Sequence, residues 1–185
     1  PYVFSEVPSG GWGGTPYHDG MSCTQDPLGN CSNMPAEIAE LLFPVTWDRF
    51  EMRGDSGGPG YHRGGLGIML QFTPLGFMEL SLETSWTKIG PPGVKGGGRA
   101  MINRILKIKR NEEIEPIAGM TKDGWKMCVF ANYPFEAGES YFFLSSGGGG
   151  WGNPLDRPPE RVLEDVLNEY VSVKDAERAY GVVID

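Results

Sequence analysis

Glycine gathers in four places along this chain, at residues 9–14, 54–67, 90–98 and 147–152. A residue without a Cβ lets one backbone approach another closely, and it weakens helices and strands alike. The clusters therefore mark where regular elements break and where main chain is expected to meet main chain. The 28 glycines and 15 prolines among 185 residues exceed ordinary usage. The segments between the clusters carry order-forming patterns, so the chain is not a disordered low-complexity sequence. Glycine-rich connections between short strands predict an α+β fold, mainly antiparallel β, with one short helix near 35–43 and a helical tail. The length suits a single domain over residues 1–185 with a real core.

Residues 1–33 read as extended or loop. Residues 35–43 (PAEIAELLF) predict a helix, with Pro35 suited to its start, Glu37 to its positive end, and Ile38, Leu41 and Leu42 on one face. Pro44 stops it. Strands are expected at 50–53, 66–73, 77–86, 100–110, 125–130 and 140–144. The clearest is 77–86, where Met78, Leu80 and Leu82 alternate with Glu79, Ser81 and Glu83. Asp123-Gly124 and Ala137-Gly138 mark turns. In the tail, Val162, Val166 and Leu167 recur at helical spacing. Ser172 and Asp175 resemble a capping box for a second helix ended by Gly181, after which the apolar 182–184 is expected to dock.

A net charge of −8 argues against a nucleic-acid partner, which usually meets a basic face. The one basic run, 104–110 (RILKIKR), reads as a strand with a wet face. No apolar run reaches the ~20 residues that cross a bilayer, and no signal peptide is visible. The first residue is Pro1, which predicts a processed or trimmed chain or a piece of a longer one. Cys23, Cys31 and Cys128 lack CxxC spacing, so a reduced, cytoplasmic setting is expected. A bridge between Cys23 and Cys31 across Gly29-Asn30 remains an alternative. With two His and no ligand-type cysteine spacing, no structural zinc site is expected, and no residue is assigned as a metal ligand.

The run from Gly54 to Gly67 carries the chemistry-bearing residues. Its opening, Gly54-Asp55-Ser56-Gly57-Gly58-Pro59, spells the setting of the nucleophilic serine in trypsin-like proteases. Such a serine needs an imidazole base held by a buried carboxylate. The chain has only His18 and His62; His62 lies in the same loop, and Thr15-Pro16-Tyr17-His18-Asp19-Gly20 does not resemble the protease histidine motif. Ser56 also comes too early to follow a complete first barrel. The protease reading is therefore disfavoured. Gly57 and Gly58 are candidates for cradling an anion through backbone N–H groups, with Arg63 adding a bidentate contact. No Lys-Ser/Thr ending makes the run a P-loop. Asp55 and Ser56 equally suit a tight turn, and Arg63 a nearby acid. His18 and Asp19 form a second candidate pair, for metal or proton transfer. Trp12, Trp47, Trp125 and Trp151 are expected to pack.

Five elements in order carry a resemblance: Ser9-Gly10-Gly11-Trp12-Gly13-Gly14 with Asp19-Gly20; Asn33-Met34-Pro35-Ala36-Glu37; Asp55-Ser56-Gly57-Gly58-Pro59-Gly60 with Arg63-Gly64-Gly65-Leu66-Gly67; Gly147 to Pro154 (GGGGWGNP); and Pro159-Glu160-Arg161-Val162 with Ala179-Tyr180-Gly181-Val182-Val183. The chain thereby resembles the C-terminal part of the hydantoinase B/oxoprolinase (N-methylhydantoinase B) family over nearly its whole length. Met34 stands where Thr is common and Trp151 where Tyr is common. The resemblance implies that an N-terminal portion is absent here, and that the complete polypeptide pairs with a hydantoinase A-type subunit, which binds ATP with Mg. It implies an energy-coupled step through a phosphorylated oxygen or carboxyphosphate. That step is hydrolysis of a cyclic amide (hydantoin, oxoproline or lactam) or, in the acetone and acetophenone carboxylases, carboxylation of a ketone enolate. Any divalent metal is implied to lie outside this chain. A third expectation is that this segment is a structural or interface module, insoluble or unfolded alone.

Overall fold

The computed structural model describes residue 3, residues 5–25 and residues 34–184. Helix α1 (Ala36–Leu42) follows Pro35 and carries Glu37 in its first turn. It turns at once into strand β1 (Val45–Arg53), and Glu40 Oε1 accepts from the Trp47 N–H at 2.7 Å to hold that corner. Strands β2 (Gly67–Pro74), β3 (Met78–Glu83), β4 (Arg104–Ile108), β5 (Ile114–Thr121), β6 (Gly124–Lys126), β7 (Val129–Phe135) and β8 (Ser140–Leu144) follow. Six of them form one antiparallel sheet in the order β1-β2-β8-β4-β5-β6, and β3 pairs with β7 in a separate antiparallel ribbon.

The ribbon and the sheet share one core. Ile68, Leu70 and Phe72 of β2, Ile105 of β4, Ile117 and Ala118 of β5, and Tyr141 and Phe143 of β8 meet Met78, Leu80 and Leu82 of β3 and Phe130, Tyr133 and Phe135 of β7. The alternation of β3 is as expected, with Met78, Leu80 and Leu82 half-buried and Glu79, Ser81 and Glu83 exposed. The fold is α+β and mainly antiparallel.

Several elements differ from their sequence signals. Strand β5 is unannounced in the sequence, because Pro116 and Gly119 (φ +76°) interrupt it. The expected strand at 125–130 divides into β6 and the start of β7 around buried Cys128, whose Sγ lies 3.1 Å from Thr87 Oγ1. The expected strand at 100–110 shrinks to the five residues of β4. There Ile105 and Leu106 are both buried, since the register against β5 shifts between them. The strand expected at 50–53 begins earlier, at Val45.

The tail is two helices, α2 (Pro159–Leu167) and α3 (Val173–Tyr180), after a 3-10 turn at Pro154–Asp156. Ser172 caps α3 by accepting from the Asp175 N–H at 3.1 Å, and Gly181 ends it at φ +68°. Val162, Val171, Ala176 and Tyr180 form a second small core against which Val182 and Ile184 pack. Cys23 and Cys128 are free thiols. Cys31 and the Gly29-Asn30 turn lie outside the described residues.

Candidate functional site

The four glycine clusters meet in one layer. Segment 146–152 runs through its middle and bonds to a different neighbour at nearly every residue. Ser146 O accepts from Gly11 N (3.1 Å), Gly148 O from Gly58 N (2.8 Å), Gly149 O from Gly14 N (2.8 Å) and Gly150 O from Val94 N (2.9 Å). Gly148 N donates to Gly65 O (2.9 Å) and Gly150 N to Gly98 O (3.0 Å). Trp151 and His62 exchange both main-chain bonds. Extended chains surrounded in this way have no room for side chains at the crowded positions. An added Cβ at Gly64 would overlap the Gly148 carbonyl, at Gly148 the Trp12 carbonyl, and at Gly150 the Pro59 carbonyl. The clusters are thus a hydrogen-bonded element of their own rather than connections between strands.

Main chain also crowds the positions expected to cradle an anion. A Cβ on Gly57 would meet the Gly64 carbonyl and one on Gly58 the Gly98 carbonyl, while the Gly58 N–H is spent on Gly148.

Ser56 is fully buried. Its Oγ donates to Arg53 O (2.6 Å) and accepts from the Gly67 N–H (2.9 Å). Both bonds go to main chain and neither to an imidazole, so the hydroxyl closes a turn and lacks the base that a nucleophile requires. Asp55 sits beside it in the left-handed region (φ +59°). Its Oδ1 accepts from the Ser172 N–H (2.7 Å) and its own N–H donates to Tyr170 O (3.0 Å), which ties the loop to the start of α3.

Arg63 and Asp19 belong to one ion network. Arg63 Nε donates to Asp165 Oδ1 (3.0 Å), and its guanidinium lies over the Tyr170 ring at 4.7 Å. Arg157, almost wholly buried, donates from Nη2 to Asp165 Oδ2 (2.7 Å) and Asp19 Oδ2 (2.9 Å), and from Nη1 to Asp19 Oδ1 (2.8 Å) and Tyr61 O (2.8 Å). Arg161, one turn before Asp165 on α2, adds a bond to Asp19 Oδ2 (2.9 Å). The Arg63 N–H reaches Asp19 Oδ1 (2.8 Å). Burial works to raise the Asp19 carboxyl, but hydrogen bonding and charge from Arg157, then Arg161 and Arg63, outweigh it and hold it below the ordinary range. His62 Nδ1 stands 3.6 Å from Asp19 Oδ1. Burial pulls the imidazole below its ordinary value, against the attraction of Asp19. His18 is elsewhere: it is exposed, with Nδ1 on its own neighbour's backbone at Asp19 O (2.9 Å), so the sequence neighbours His18 and Asp19 do not act as a side-chain pair.

The network therefore gathers Arg63 and Asp19 with Arg157, Arg161, Asp165 and His62. Nothing in the sequence singles out Arg157 or Asp165. Arg161 stands there only inside a quoted motif, and His62 only as an unsuitable base. Asp165 lies 102 residues from Arg63, and nothing local in the sequence connects them. Chemically the arrangement is a bolt. It fixes α2 and the 3-10 turn to the glycine layer, and each of its carboxylate oxygens accepts at least one guanidinium bond. Among the described residues, no group of three or more His, Cys, Asp or Glu is placed to hold a metal ion. No helix among them is long and apolar enough to cross a membrane.

Comparison with known proteins matches this architecture. The family model described as hydantoinase B/oxoprolinase matches residues 1–154. A Pseudomonas sp. (strain NS671) protein assigned as the B-type polypeptide of a D-/L-hydantoinase is 31% identical over 183 residues, covering 99% of this chain and 30% of that protein. The crystal structure of ATP-dependent caprolactamase from Pseudomonas jessenii superposes with a TM-score of 0.77 at 30% identity, over 96% of this chain and 30% of that one. A nucleotide-free acetone carboxylase structure gives 0.70 at 27% identity, over 96% and 27%. The chain thus spans about 30% of the length of these relatives. With its fold, its ordered glycine motifs and these matches in agreement, the chain belongs to the hydantoinase B/oxoprolinase family.

Proposed function

We propose that this chain is the C-terminal segment of a hydantoinase B-type polypeptide in an ATP-dependent assembly that hydrolyses a cyclic amide. The observation that carries this reading is the match, over nearly the whole chain, to both a hydantoinase polypeptide and an ATP-dependent caprolactamase. The glycine clusters here spend their room on one another, so ATP with Mg is assigned to a partner of the hydantoinase A type. The partners are that polypeptide and the N-terminal portion of the present one, and the setting is the cytoplasm. Within the assembly, the glycine layer and the Asp19–Arg157–Asp165 bolt form a rigid wall that positions the reacting groups supplied by other segments. No membrane and no nucleic acid is involved.

A second reading is favoured by the likeness to acetone carboxylase: ATP-dependent carboxylation of a ketone. The purified complex, supplied with ATP and labelled bicarbonate, separates the two. Ring opening of a hydantoin, oxoproline or lactam with no label in the product is the expected result. Label incorporated into a ketone-derived acid would overturn the hydrolase reading in favour of the carboxylase.

A further inference from the structure

Strand β1 ends in a buried cation that pairs with no acid among the described residues. Arg53 is 9% exposed. Its Nη1 donates to the carbonyls of Ile102 (2.9 Å), Leu144 (3.3 Å) and Ser145 (2.8 Å), while Nη2 meets only the Met101 thioether at 3.4 Å. Carbonyls and a thioether supply dipoles and a weak acceptor but no negative charge. Among the described residues no Asp or Glu forms an ion pair with Arg53, nor with Arg104 nearby. Buried charges are normally paired, and this chain has 24 acidic residues from which to draw a partner.

The two arginines open on one cavity of about 430 Å³, lined also by Met101, Asn103, Pro116 and Met120. That is the size of a small-molecule site, roughly 300–1,000 Å³. The Asn103 side chain is already committed, through Nδ2 to Thr84 Oγ1 and Ser85 O and through Oδ1 to the Ser146 N–H. The uncommitted polar capacity is cationic. Burial, and then the like charge of Arg104, push the Arg53 guanidinium down to about 10, which leaves it charged at neutral pH. The glycine turn holds this arrangement in place: the Ser56 hydroxyl grips Arg53 O, and Ser56 O accepts from the Met101 N–H at 3.0 Å.

We propose that this cavity binds a compact oxyanion, a carboxylate or phosphate-type group, between the guanidinium groups of Arg53 and Arg104. The oxyanion comes either from a free small molecule or from an acidic side chain elsewhere in the assembly. Guanidinium forks suit both. The inference stands apart from the choice between hydrolase and carboxylase.

The test uses the full-length polypeptide in its assembly, titrated calorimetrically with inorganic phosphate and with acetate. Arg104→Gln is the main variant, since Arg104 is exposed and holds no backbone, whereas loss of Arg53 releases three carbonyls. For a free oxyanion, saturable binding to wild type weakens about tenfold in Arg104→Gln. For an internal carboxylate, neither anion binds. A crystal structure of the full polypeptide or assembly then places an Asp or Glu oxygen within ion-pair distance of Arg53 or Arg104. Either outcome supports the site. Equal anion binding by wild type and Arg104→Gln would overturn it. So would absent binding together with a structure in which no acid reaches either guanidinium.

Discussion

A serine flanked by glycines is ambiguous until its hydroxyl is located. Ser56 Oγ is used twice, once as donor to Arg53 O and once as acceptor from the Gly67 N–H, and it is out of contact with water. Replacing it with Ala takes the side-chain acceptor from the buried Gly67 N–H and leaves Arg53 O with only the residue-56 N–H as donor, which costs about 1–3 kcal/mol. Ser56→Ala in the full assembly should therefore lower the unfolding free energy by that amount, with turnover per folded complex retained. Loss of turnover without loss of stability would return the hydroxyl to the chemistry. The sequence marks Asp55, Ser56 and Arg63 as residues of consequence, since each is a polar group in a glycine-rich run, and Asp19 as the neighbour of His18. It does not show which way a side chain points. That Asp55 reaches Ser172, and Arg63 reaches Asp165, depends on the chain returning after more than a hundred residues.

At the scale of elements, what was legible followed local physics. Helix α1 lies between two prolines, β3 alternates cleanly, β8 has the expected bounds, and α3 has a serine cap and a glycine stop. Strand β5 was illegible because a proline and a glycine interrupt it, yet pairing on both sides with β4 and β6 overrides those breaks. The docking of the helical tail was legible only as apolar spacing; the bolt of Asp19, Arg63, Arg157, Arg161 and Asp165 that fastens it was not. This bolt should make the tail acid-sensitive. The Asp19 carboxyl lies below its ordinary value in the fold, so its contribution is complete above about pH 4 and is lost as pH falls through the folded value. His62 is also held below its ordinary value. Below about pH 6.5 the unfolded chain takes up a proton more readily than the fold does, and stability begins to fall there. Denaturant melts of the assembly from about pH 8 to about pH 2 should show decline in two stages. Asp19→Asn should lower stability at neutral pH and flatten the lower stage. An unchanged acid slope in that variant would show that Asp19 is not held as described.

Across the whole molecule, apolar side chains remain uncovered at both ends of the sheet: Leu41, Leu42, Phe50 and Met52 near β1, and Met120, Trp125 and Met127 around β5 and β6. Exposed apolar surface of this kind marks faces that lie against other protein, in keeping with a chain that spans about 30% of its relatives. Between those faces the glycine layer joins the amino-terminal segment, the sheet and the helical tail into one body. The claim on which the account rests is that these glycines exist for contact of main chain with main chain. Paired substitutions in the full-length assembly, read by denaturant unfolding, test it most directly. Gly64→Ala drives a methyl group into the Gly148 carbonyl, whereas Gly76→Ala enters open space. Gly64→Ala is expected to lower stability by more than about 3 kcal/mol or prevent folding, and Gly76→Ala to change it by less than about 1 kcal/mol. Equal and small effects at the two positions would contradict it.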